Sequence, residues 1–287
     1  MDSYVNMLDS FQPHETFFIA LDSDGCVFDT MEIKHKECFC PPFINRFDLQ
    51  GVSKYAREVW EFVNLYSTTR GYNRFKALVT ALDLLAAREE TAKRHVTVPR
   101  VNSLREWIQR ESRLGNPALE QAVTDNPDPA LERALAWSIE VNETVAHVVR
   151  NIPPFPGVRE SLDAMKGRAD AIVCSQTPVE ALDREWKDHG IDSFVSLICG
   201  QEMGTKAEHL AHAGKGKYAP EKMLMVGDAP GDLKAARQNG ISFYPINPGR
   251  EEASWSRFAT EALERFFAGA YAGEYEQKLI DEFNSYL

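Results

Sequence analysis

The stretch Thr16-Phe17-Phe18-Ile19-Ala20-Leu21-Asp22-Ser23-Asp24-Gly25 decides the fold of this 287-residue chain. Thr16 to Leu21 is a short apolar run that ends abruptly in two aspartates and a glycine. A strand buried on both faces reads as a continuous apolar run, and open α/β sheets place ligands just beyond the carboxyl ends of such strands. Gly25 lets the chain turn sharply where the acidic groups crowd.

Working outward, similar apolar runs recur at Ala171–Cys174, Phe194–Ile198, Met223–Val226 and Ile241–Ile246. Helical patterns separate them. Val158–Lys166 follows Pro156-Gly157, Val179–His189 follows Thr177-Pro178, and Asp232–Asn239 ends at Gly240, each with a start or stop signal. This alternation predicts parallel crossover units, hence an α/β fold: a Rossmann-like parallel sheet with helices on both faces.

Between about Asp29 and Ile152 no strand pattern occurs. Helical patterns fill the region: Lys54–Ser67, Asn73–Ala87, Ser103–Arg113, Pro117–Thr124 and Pro129–Arg150, with Ser103-x-x-Glu106 readable as a capping box. Trp60, Trp107 and Trp137 sit within these patterns and read as core. The expected organisation is a core from 1–29 and 153–250, an inserted helical domain at 30–152, and C-terminal helices at 251–287. The last would pack on the core or on the partner subunit of a homodimer. The stiff segment Ile152-Pro153-Pro154-Phe155-Pro156-Gly157 returns the chain to the sheet.

Composition narrows the function. A net charge of -11 disfavours a nucleic-acid partner, because a polyanion is repelled at long range. No stretch is apolar for long enough to cross a bilayer, and residues 1–5 carry neither a basic region nor an apolar run, so no membrane partner and a cytoplasmic location are expected. The five cysteines, Cys26, Cys38, Cys40, Cys174 and Cys199, are odd in number and scattered, as reduced thiols are. Cys38-x-Cys40 has no second ligand pair and reads as two small side chains.

Four segments would each lie at the carboxyl end of a sheet strand: Asp22–Thr30, Val173–Thr177, Gly204-Thr205-Lys206 and Gly227–Asp232. Two carboxylates from different strands, Asp22 and Asp228, can hold a hard cation such as Mg²⁺. Lys206 and the Ser175 hydroxyl, beside Gln176, can neutralise a phosphoryl group while an Asp22 carboxylate attacks phosphorus. Asp24 can pass a proton to the leaving oxygen and later take one from water.

In order and separation these segments resemble the four motifs of the haloacid dehalogenase-like superfamily, over roughly 16–29 and 155–247. The resemblance implies Asp22 as nucleophile and Asp24 as acid/base, with Ser175, Gln176 and Lys206 on the phosphate. It implies Mg²⁺ held by Asp22, the Asp24 carbonyl and Asp228, with Asp232 supporting that loop. It also implies that the insertion is a helical cap of the C1 type, closing over the site. Ala207 stands where relatives often carry proline, which keeps Lys215 and Lys217 as alternative cations.

An Asp-x-Asp pair implies phosphate-ester chemistry within this family, most simply a phosphatase for a small phosphorylated metabolite. A phosphomutase of the β-phosphoglucomutase kind is the alternative, with His35 near the position of its cap histidine. A non-catalytic binding protein on the same fold is a third reading, against which stands the retention of every acidic group. For the substrate's remaining groups the sequence offers Arg70 and Arg74 in Thr68–Phe75, then Lys34 and His35; the plain alternative for the arginines is a solvated helix start.

Overall fold

The computed structural model describes residues 7–287, so the segment read above for a leader lies outside it. By their contacts the described residues divide into two compact units, 7–30 with 151–287 and 31–150.

The first unit is built on five parallel strands: β1 (Phe17–Leu21), β2 (Ala169–Cys174), β3 (Leu197–Cys199), β4 (Met223–Gly227) and β5 (Ser242–Pro245), in the spatial order β3-β2-β1-β4-β5. Leu21 aligns with Val173 of β2 and Val226 of β4, so the ends of three strands finish in one row. The chain moves from β1 outward through β2 and β3, then returns to the other side of β1 to begin β4. That reversal is the topological switch point at which such sheets bind ligands.

Alternate strand residues supply two cores. Ile19, Leu21, Val173, Leu224 and Val226 face Val158, Leu162, Leu182 and Trp186, together with Trp255 and Phe258. Phe18, Ala20, Ile172, Met225 and Phe243 face Leu210, Ala213, Ala235, Ala236, Ile280 and Phe283. The helices Val158–Met165 and Val179–Asp188 therefore cover one face, while Lys206–Gly214, Pro230–Asn239 and Glu274–Asn284 cover the other. The C-terminal helices pack on the chain's own core, and their aromatic side chains are spent there. The edge strand β5 is shielded: the Phe243 N–H donates to the buried Glu276 carboxylate at 2.9 Å, which also accepts from Arg237 at 3.1 Å. An open edge would otherwise invite pairing with another chain.

The strand expected at Phe194–Ile198 is displaced. Asp192–Phe194 forms a 3-10 turn and β3 starts only at Leu197, because Phe194 and Val195 pack on the core from the connecting segment. All five cysteines are buried free thiols. No helix among the described residues is long and apolar enough to cross a membrane.

The second unit is helical throughout: Ser53–Leu65, Arg74–Ala87, Asn102–Arg110, Asn116–Asp125 and Pro129–Val148, with shorter pieces between them. Its core is aromatic. Trp60 and Trp137 pack edge to face at 5.7 Å, Phe75 and Trp107 at 5.2 Å, and the Trp137 indole N–H donates to the Phe39 carbonyl. Ser103 does not cap its helix, contrary to the capping-box reading. It lies inside the first turn, and its hydroxyl donates to Asp128 at 2.6 Å, while Asp128 caps Pro129–Val148 by accepting from Ala130 and Leu131. A helical segment that the sequence pattern hides, Cys40–Arg46, follows a π-helical turn at Lys34–Phe39.

Candidate active site

β1 ends by passing its ladder on to Asp22, whose N–H donates to the Val226 carbonyl at 2.9 Å. The next residues fold back tightly. The Ser23 carbonyl accepts from the N–H groups of Cys26, Val27 and Phe28, and Gly25 takes φ 75°, which a glycine adopts without strain. The Ser23 N–H donates to Asp22 Oδ1 at 2.8 Å, fixing that carboxylate against its own loop. Below it, the Trp186 indole N–H donates to Ser23 Oγ at 3.1 Å.

Asp22, Asp228 and Asp232 converge here. Each offers one carboxylate oxygen, these oxygens all lie within 4.8 Å of one another, and the residues are 5%, 1% and 0% exposed. Lys206 joins them, with Nζ 2.7 Å from Asp22 Oδ2 and 2.5 Å from Asp232 Oδ1. The other Asp232 oxygen accepts from the Ala229 N–H at 3.0 Å and closes the turn that starts the helix Pro230–Asn239.

Burial pushes Asp22 well above the usual carboxylate range; the lysine opposes this, and the charges of Asp232 and Asp228 add to it. Asp232 is raised for the same leading reason. Burial alone would lower Lys206, but the Asp22 and Asp232 carboxylates outweigh it and hold the ammonium firmly protonated. Asp22 and Asp232 thus share one cation, with the Asp228 carboxyl group buried beside them. Unpaired buried charge is costly, and three hard oxygens at this spacing are the donor set a divalent hard cation takes.

Lys206 reaches the cluster from the first turn of its helix. Thr205 accepts from the Glu208 N–H while Glu208 accepts from the Thr205 N–H, a complete capping box that starts the helix without the missing proline. Lys217 is engaged elsewhere, donating to the carbonyls of Leu8 and Asp9.

Ser175 continues the ladder beyond β2, its N–H donating to the Cys199 carbonyl at 3.0 Å. Its hydroxyl oxygen accepts from the Thr177 N–H at 3.2 Å. Gln176 is exposed, and its amide donates to the Gly204 carbonyl at 3.0 Å, bracing this loop against the one before Lys206. Asp24 accepts from two hydroxyls, Thr30 Oγ1 on Oδ1 at 2.5 Å and Thr177 Oγ1 on Oδ2 at 2.6 Å. The sequence contains both threonines inside the segments singled out above, but nothing in their spacing assigns them to Asp24.

Lys34, His35, Arg70 and Arg74 belong to the helical unit. His35 stacks on Phe39 at 4.9 Å. Arg70 is buried and donates to the Leu65 carbonyl at 3.0 Å. Arg74 donates to Ser138 Oγ at 2.9 Å and Asn142 at 2.7 Å and lies over the Phe39 ring; burial brings its guanidinium down to about 10. Both arginines thus hold the unit's own backbone and side chains together.

With this geometry in hand, comparison with known proteins gives the class. The model of the haloacid dehalogenase-like hydrolase family matches residues 19–240, and the chain belongs to that family. A phosphoglycolate phosphatase of Vibrio vulnificus is 28% identical over 185 residues, which span 60% of this chain and 80% of that protein. Among solved structures, a haloacid dehalogenase-like family protein of Streptococcus pneumoniae superposes with a TM-score of 0.43 at 15% identity, covering 85% of this chain and 91% of that one. A haloacid dehalogenase-like hydrolase of Xanthomonas campestris gives 0.45 at 12% identity, covering 91% and 96%.

Proposed function

We propose that this hydrolase is a Mg²⁺-dependent phosphatase that cleaves a small phosphorylated metabolite through an aspartyl-phosphate on Asp22. The observation that carries the reading is the meeting of Asp22, Asp228, Asp232 and Lys206 in one buried cluster, with Asp24 two residues beyond the nucleophile.

The carboxylates of Asp22, Asp228 and Asp232 fit a hard divalent cation, and Asp24 would add its carbonyl. When bound, such an ion offsets the negative charge that gathers on a phosphoryl group next to three carboxylates. The rest falls to the chain's own side chains. Asp22 is the nucleophile, held by the Ser23 N–H and by Lys206. Lys206 and the Ser175 hydroxyl take the phosphoryl oxygens, with Gln176 bracing the loop that carries Ser175. Asp24 gives its proton to the leaving oxygen and then, as a carboxylate, draws one from the water that hydrolyses the acyl phosphate.

The five reduced thiols suit a cytoplasmic enzyme. A phosphorylated hydroxy acid such as 2-phosphoglycolate heads the substrate class, on the strength of the Vibrio relative. The test is phosphate release from a broad panel of phosphorylated metabolites, with Mg²⁺ and with a chelator. Chelator-sensitive release from one or a few compounds is expected. A chain that releases phosphate from none of them would overturn the proposal.

A further inference from the structure

Asp24 is tied down at both oxygens, and the two ties come from distant parts of the chain. Thr30 lies six residues further on, whereas Thr177 belongs to the loop leaving β2, 153 residues away in sequence. Thr177 also hands its backbone N–H to Ser175 Oγ, so one residue touches both the acid/base carboxylate and the hydroxyl assigned to phosphate. Its carbonyl accepts from the Gln201 N–H at 3.1 Å. This anchoring needs Gly200: a Cβ there would stand 2.5 Å from the Thr177 oxygen and 2.7 Å from the Val179 nitrogen, closer than real Cβ contacts come.

From this network we propose that Thr177 is a positioning residue: it fixes the plane of the Asp24 carboxyl and sets it in register with Ser175. The inference rests on the phosphatase reading above. A carboxyl held at one oxygen can still swing about its remaining torsion, but one held at both cannot. Threonine suits the task because its branched Cβ leaves few χ1 positions, so the backbone of the loop dictates where the hydroxyl points.

The chemistry says where the effect will be felt. An Asp22 oxygen bonds to phosphorus, the ester P–O bond breaks, and its electron pair stays on the leaving oxygen. The proton moves from the Asp24 carboxyl to that oxygen, giving a neutral alcohol and an Asp24 carboxylate. In the second half a water oxygen bonds to phosphorus, the acyl P–O bond breaks to restore the Asp22 carboxylate, and Asp24 recovers a proton from the water. Misorienting Asp24 therefore harms the first half most when the leaving oxygen is basic, and little when it departs readily as an anion.

The experiment compares kcat/KM for phenyl phosphate and 4-nitrophenyl phosphate, esters of similar shape whose leaving groups differ in acidity, using the full chain with Mg²⁺. Thr177→Val should lose roughly tenfold or more on phenyl phosphate, a part of the roughly 10²–10⁴-fold that a general acid contributes, and several-fold less on the nitrophenyl ester. Thr177→Ser, which keeps the hydroxyl, should stay near wild type on both. Gly200→Ala, which displaces the loop by crowding the Thr177 carbonyl while keeping the threonine hydroxyl, should reproduce the unequal loss. Equal losses on the two esters, or none, in Thr177→Val or in Gly200→Ala would overturn the inference while leaving the phosphatase reading in place. A wild-type chain inert toward both esters and toward the metabolite panel would sink the phosphatase reading, and this inference with it.

Discussion

His209 offers a stability measurement whose size follows from the structure. It lies in the helix Lys206–Gly214, fully buried, with Nδ1 3.6 Å from the Cys174 sulfur. Burial brings its imidazole down to about 4, the nearby Lys206 ammonium pushes the same way, and the opposing pulls of the Gly200 backbone and Glu208 are smaller. An unfolded histidine titrates near 6.5. Between those values the unfolded chain binds a proton that the folded chain refuses, so stability is intact above pH 6.5 and falls as pH drops toward 4. Each unit of that gap costs about 1.4 kcal/mol, so His209 removes roughly 2.5 kcal/mol on going from pH 7.5 to 4.5. The assay is urea unfolding of wild type and His209→Asn across that range. Asparagine does not titrate, and any cavity cost is the same at every pH. The difference between the two proteins should shift by about 2.5 kcal/mol in favour of the variant as pH falls. A difference that stays flat would mean that His209 protonates inside the fold, refuting the argument.

Three other substitutions probe the site and its supports. Lys206→Met strands the buried carboxyl groups of Asp22 and Asp232 without their cation: turnover should vanish and stability should fall by about 3–5 kcal/mol at neutral pH, by denaturant titration. Because Asp22 and Asp232 are raised above their ordinary value of 3.8, they bind protons in the fold; the deficit should be smallest below about pH 4 and grow as pH rises through the raised values. Trp186→Phe removes the donor to Ser23 Oγ in a fully buried setting and should cost about 2 kcal/mol with the site chemistry retained, read by thermal unfolding and kcat. Glu276→Ala leaves the Phe243 N–H of the edge strand without its acceptor and should cost about 1–3 kcal/mol, whereas Glu276→Gln should cost less because it keeps an oxygen there.

Much of the core was legible because its physics is local. A strand covered on both faces must be apolar along its length, and β1, β2, β4 and β5 read that way. Pro230 is accommodated in the first turn, which starts the helix two residues ahead of the Asp232–Asn239 reading. Hidden features came from effects that sequence spacing does not carry. The helix Cys40–Arg46, for which no pattern was read, carries Pro41 and Pro42 in its opening turn. The π-helical turn before them inserts a residue into the helical period and blurs the pattern. Ser103 looked like a cap because its spacing to Glu106 fits one, but the hydroxyl found a better acceptor in Asp128. Arg70 and Arg74 read as substrate ligands or, alternatively, as a solvated helix start; the Ser138 hydroxyl that engages Arg74 lies 64 residues away and leaves no mark near it in the sequence. The tie from Thr177 to Asp24 joins residues 153 apart and exists only once the strands align.

The most direct test of the central claim is phosphate release by wild type and Asp22→Asn, side by side on the same panel, with Mg²⁺ and with a chelator. The account predicts release by the wild type that the chelator stops, and none by Asp22→Asn although it folds and unfolds like the parent. Undiminished release by Asp22→Asn, or release indifferent to the chelator, would contradict it.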